Sequence, residues 1–216
     1  MNTIPDSLLL PHERARRRRR ALAWTLAGTV GLLVLTFFDA ALWRLLKVDD
    51  PRAFERQDWY QVFRQAGSLV PWLILAAALW LHDRTFRRAR LMTAAVVFGG
   101  AASEGVQLLT LRHRPGVWGD YAFAWQTHDL PNGHLVTGIG MASSHAGVAF
   151  GAAFMLAYLF PRTAPVGLAL AIGCSLTRTA MGAHFVTDIY VAALLSYAVV
   201  AIIRRLDAIW SPRAAA

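Results

Sequence analysis

Toward the end of the chain an arginine, a histidine and an aspartate recur at fixed intervals, Arg178-x5-His184-x3-Asp188. An imidazole is a competent nucleophile. A carboxylate four residues on shares its face of a helix and can accept the ring N–H, fixing the tautomer and raising the nucleophilicity of the other nitrogen. Upstream, Ser143, Ser144 and His145 open an apolar run. Serine hydroxyls and free backbone N–H groups at a helix start form a natural anion site. Farther upstream stand Arg112, His113, Arg114 and Pro115, and Arg114 and Arg178 can each fork two donors onto phosphate oxygens. His145 suits a general acid that later serves as the base for water. Together these residues fit phosphoryl transfer, in which the protein mainly supplies a positioned nucleophile and donors for the oxygens on phosphorus. A metal at His184 and Asp188 is the competing reading, but no second cluster with ligand spacing accompanies them. Singly, each residue also has a structural explanation, such as a buried pair or a snorkelling arginine.

The segments that must bring these residues together are strongly apolar. The chain has 216 residues, 56% hydrophobic and only 16% charged, with a mean hydropathy of +0.40. Soluble chains carry about a quarter charged residues. The apolar excess comes in long runs, which excludes disorder, a collagen-like chain and a nucleic-acid tail. Six runs approach the roughly 20 residues a membrane-spanning helix needs: Ala21 to Leu42 with Asp39 near its far end, Ala66 to Leu81, Leu91 to Leu111, Ser143 to Phe160, a fifth from the turn at Pro161–Pro165 to about Ala180, and His184 to Ile203. The expected fold is all-α, a bundle of six transmembrane helices over residues 21–205, between a basic tail at 1–20 and a short tail at 206–216.

The net charge of +9 then reads as a topology signal, because Lys and Arg accumulate on the cytoplasmic side. With both ends inside, fourteen of the 22 Lys and Arg fall inside, six of them in the N-terminal tail. The eight outside are Arg44, Lys47, Arg52, Arg56, Arg64, Arg112, Arg114 and Arg178. All the candidate chemistry lies at outer helix ends, so the expected location is the cytoplasmic (inner) membrane, with cytoplasmic termini and the site facing the periplasm. No nucleic-acid partner is expected. The first apolar run is longer than a signal h-region and lacks a small-residue cleavage site, so it reads as an uncleaved span.

Other segments read as support. Asp50 before Pro51 resembles a helix N-cap with proline at the first position; the stretch to Gln65 is either a short helix resting Phe54, Trp59, Tyr60 and Phe63 in the interface or an ordinary aromatic-rich loop. Gly99-Gly100-Ala101-Ala102 reads as a helix-packing surface. Glu104 is placed to bond Gln107 or Arg112, or to make a simple interhelical contact. His12, His82, His113 and His128 are assigned no catalytic part. Cys174, the single cysteine, excludes an intrachain disulfide.

At the polar residues the chain resembles the type 2 phosphatidic acid phosphatase superfamily, whose pattern is Lys-x6-Arg-Pro, Pro-Ser-Gly-His and Ser-Arg-x5-His-x3-Asp. The third motif reads Thr177-Arg178-TAMGA-His184-FVT-Asp188, the second Ala142-Ser143-Ser144-His145, and the first Gln107-LLTLRH-Arg114-Pro115. Pro131-Asn132-Gly133-His134 mimics the second motif but lacks its serine and leads into no sustained apolar helix, so it reads as a turn. The resemblance implies a nucleophile at His184, an orienting carboxylate at Asp188, a second catalytic histidine at His145, and phosphate binding by Arg114, Arg178, Ser143 and Ser144, without a metal or other cofactor.

Gln107 occupies the family's lysine position, and so by resemblance a place in the phosphate site, but removes a positive charge; Arg112, two residues before Arg114, is read as compensating for it at the phosphate. The resemblance implies a lipid phosphatase acting on a phosphomonoester or diphosphate, such as a polyprenyl diphosphate, phosphatidylglycerol phosphate, phosphatidate or phosphorylated lipid A. The alternatives are a lipid phosphotransferase and a non-catalytic transporter or scaffold with a weakened anion site.

Overall fold

The computed structural model describes residues 10–83, 85–115 and 139–210. Its elements are α1 (Pro11–Leu46), α2 (Pro51–Glu55), α3 (Asp58–Ala66), α4 (Leu69–His82), α5 (Arg87–Thr110), α6 (Ser144–Leu159), a 3-10 turn at Pro161–Thr163, α7 (Ala164–Ala180) and α8 (Val186–Trp210). The described residues are thus helical, with one isolated bridge between His113 and Ile139. The Pro131–His134 turn and His128 lie outside the described residues.

Each of the six apolar runs contains a helix, but their lengths differ. Three helices, α1, α5 and α8, are long and apolar enough to cross a bilayer, or four if α3 and α4, bent by 65°, count as one broken span. At 1.5 Å per residue, the 16 residues of α6 and the 17 of α7 reach only about 25 Å, short of a hydrocarbon core about 30 Å thick. The expectation of six spans is thus met in part: each run holds a helix, and three or four of these are long and apolar enough to span by length and composition. The boundaries shift where charged residues extend apolar helices: α1 starts at Pro11, within the expected basic tail, and α8 runs on to Trp210.

Helix α6 is the hub. It packs on α5, α7 and α8, and Ala146 to Ala153 are all buried. Small residues permit this closeness. A Cβ on Gly99 would lie 2.7 Å from the Gly147 carbonyl oxygen, and one on Gly151 would lie 2.5 Å from that of Ala95, so α5 and α6 touch backbone to backbone. The glycine pair Gly99-Gly100 thus packs as read, whereas Ala101 is exposed.

By contrast α1 lies at the edge, touching α8 and α7. Trp24 and Phe37 face outward. Tyr190 donates from its hydroxyl to the Gly28 carbonyl at 3.2 Å, and Val48 N–H bonds Ala180 at 3.1 Å. The 50–65 segment is helical: Asp50 caps α2 by accepting from Ala53 N–H at 3.0 Å, and Tyr60 of α3 is fully buried. Helix α3 packs against α7 and α6, next to the polar end of the bundle.

Candidate active site

The residues singled out by type and spacing converge at one end of the bundle. Helix α7 ends at Ala180 with Met181 as its C-cap, and Gly182, at φ 68°, turns the chain through the left-handed region that glycine enters without cost. His184 follows in this connection, two residues before α8 begins. It is therefore not on a helical face with Asp188, which corrects the i,i+4 reading. Its Nδ1 lies 2.7 Å from the Gly140 carbonyl oxygen and 3.7 Å from Asp188 Oδ2. A carbonyl only accepts, so Nδ1 carries the proton and Nε2 holds the lone pair.

Asp188 occupies the third position of α8 and reaches back to the Phe185 N–H at 2.8 Å, one half of a capping box. Its backbone carbonyl accepts from Ser143 N–H at 3.3 Å. The start of α8 is thereby tied to the start of α6, where Ser143 is the N-cap and its hydroxyl accepts from Ala146 N–H at 3.4 Å. Ser143 is buried; Ser144 and His145 are half-buried at the helix mouth. The backbone of Gly67 at the end of α3 lies against His145 and Cys174: a Cβ there would meet both within 2.8 Å. The charges bearing on His145 are those of Arg178, His184, Arg64 and Arg114.

Two arginines flank this mouth. Arg114 donates from Nε to the Ile139 carbonyl at 2.9 Å, and its neighbours in charge include Arg178 and Asp188. Arg178 Nε is buried with no hydrogen-bond partner among the described residues, and the Tyr60 hydroxyl lies close enough to interact with the Arg178 guanidinium. A buried unpaired donor such as Arg178 Nε is expensive. A bound anion would satisfy it.

Two expectations change. Gln107 bonds from Nε2 to the Ile139 carbonyl, so the residue in the lysine position ties α5 to the returning chain instead of presenting a group to phosphate. Glu104 is exposed. Arg112, read as the compensating cation, lies between carboxylates: Nη2 is 2.7 Å from Asp39 Oδ2 and Nη1 is 2.8 Å from Asp188 Oδ1. Nη1 also donates to Thr187 Oγ1 at 2.6 Å. A guanidinium satisfied by two carboxylates is directed inward and not toward an open anion site.

Sequence reasoning left out Asp39, Arg64, Tyr60 and the Gly140 carbonyl. Only Asp39 carried a signal, as an ionisable residue inside an apolar run.

No curated protein and no solved structure matches the chain. The family profile described as PAP2 superfamily matches residues 88–210, more than half of the 216 residues, and takes in Arg114, His145, Arg178, His184 and Asp188. With the motif residues gathered at one end of the bundle inside the matched region, the chain belongs to the PAP2 superfamily.

Proposed function

We propose that the protein is an integral membrane lipid phosphatase that uses His184 as a nucleophile on a phosphomonoester or diphosphate at headgroup depth. Members of the superfamily are generally phosphatases, and the apolar helices are compatible with a membrane location. The observation that carries the mechanism is the 2.7 Å approach of His184 Nδ1 to the Gly140 carbonyl, which leaves Nε2 as the attacking atom. Nε2 bonds to phosphorus as the bond to the lipid oxygen breaks, and His145 gives that oxygen its proton. Water then attacks the phosphohistidine with His145 as base, releasing phosphate and restoring the ring. Arg114, Arg178, Ser144 and the N–H groups at the start of α6 hold the phosphate oxygens.

In this reading α1, α4, α5, α6, α7 and α8 all cross or enter the bilayer, with the termini on the cytoplasmic side and the site on the outer face. The substrate is read as a lipid, whose headgroup phosphate lies at the depth of the helix ends in this arrangement. The test is phosphate release by purified protein in detergent from phosphatidate, phosphatidylglycerol phosphate and a polyprenyl diphosphate, with and without EDTA. Wild-type release that is EDTA-resistant and vanadate-sensitive, and lost in His184→Ala, is the expected result. Full activity in His184→Ala rules the mechanism out.

A further inference from the structure

We propose that Asp39, on the first helix and outside the family-matched region, offsets the charge of Arg112 so that the Asp188 carboxylate remains effective at His184. The inference rests on the catalytic reading of His184. Asp39 and Asp188 are fully buried and Arg112 is 2% exposed. Asp39 receives the Thr187 N–H at 3.0 Å and the Thr187 hydroxyl, while Arg112 bridges Asp39, Thr187 and Asp188. The Arg112 guanidinium also lies over the Phe185 ring at 4.4 Å, and Phe185 in turn meets Trp43 of α1 edge-on at 6.3 Å. The end of α1 is therefore fixed against the residues that directly follow His184.

The charges explain why a second carboxylate is needed. When Nε2 bonds to phosphorus, the ring gains positive charge. Asp188 alone would stabilise it, but Arg112 at 2.8 Å cancels most of that field in a buried, weakly screening environment. Asp39 returns the cluster to a net charge of minus one, equal and opposite to the charge that develops. Asp39 touches neither substrate nor ring, and acts as a positioning and charge-balancing residue through Arg112.

The experiment compares wild type, Asp39→Asn, Asp39→Glu, the double variant Asp39→Asn with Arg112→Gln, and His184→Ala. Each is purified in detergent, checked for folding by size exclusion and thermal melting, and assayed on dioleoyl phosphatidate and a polyprenyl diphosphate. Asp39→Asn is expected to lower kcat by about 10- to 100-fold with little change in KM, the scale of losing one unit charge near a buried reacting group. Asp39→Glu recovers part of the loss. The double variant, again at minus one, is expected to exceed Asp39→Asn in kcat. A folded Asp39→Asn with wild-type kcat overturns the inference. So does a folded double variant without activity, which is the deciding measurement if Asp39→Asn alone does not fold. His184→Ala at full activity, or no release from either substrate by wild type, instead defeats the catalytic reading on which the inference rests.

Discussion

The two ends of the bundle each hold a buried carboxylate on α8 paired with arginine, yet they are built differently. At the end away from the site, Asp207 is paired with Arg87 at 2.5 Å and Arg90 at 3.5 Å, and the arginine side chains are 40% and 66% exposed. Arg87 also donates to the Tyr158 hydroxyl at 3.3 Å. At the site end Asp39, Arg112 and Asp188 are all sealed. An exposed arginine that loses its partner returns to water, and Asp207 keeps one arginine if the other is removed. A sealed arginine cannot return to water, and removing one member leaves charge stranded. Both clusters join α8 to other helices, but only the sealed one lies beside His184, the proposed nucleophile.

That contrast can be broken or sharpened by mutation. The largest effect belongs to the chemistry: His145→Ala is expected to lower kcat by about 10²- to 10⁴-fold with the melting temperature nearly kept, measured by phosphate release and thermal unfolding. Next, Arg112→Ala strands two carboxylates and should cost about 3 to 5 kcal/mol of stability, more than Arg87→Ala, after which Asp207 keeps Arg90 at 3.5 Å. Equal losses in thermal or denaturant unfolding would erase the distinction between the two ends. The smallest effect is at Gln107. Its bond to Ile139 is lost but the carbonyl keeps Arg114 Nε, so Gln107→Leu should cost about 0.5 to 1.5 kcal/mol while KM for substrate stays near that of wild type. A large rise in KM would return Gln107 to the phosphate site.

The parts of the site legible in the sequence were those fixed by short spacing. Arg178 lies in the last turn of α7, His184 in the connection and Asp188 in the first turn of α8, so an eleven-residue pattern carries them together. Asp50 and Pro51 gave away the start of α2 because a cap is local chemistry. The partners that complete the site are remote in sequence. Gly140 lies 44 residues before His184, and Asp39 lies 73 before Arg112, so no periodicity links them. The spacing of Gln107 suggested a phosphate contact, yet its bond to Ile139 depends on how the chain returns from α5 to α6. Hydropathy located the six helices but not their reach, since α6 and α7 are as apolar as a span needs and too short to be one alone.

The ion cluster around Arg112 also constrains the order of assembly. Ribosomes deliver the N-terminal segments first, so α1 is made well before the end of α5. A lone arginine entering a nonpolar phase is costly. Asp39 is already present when Arg112 emerges, and the growing chain thus carries its counterion ahead of the cation that needs it. Asp188, made later, completes the cluster as α8 docks, so the site becomes electrically complete only when the last helix is in place.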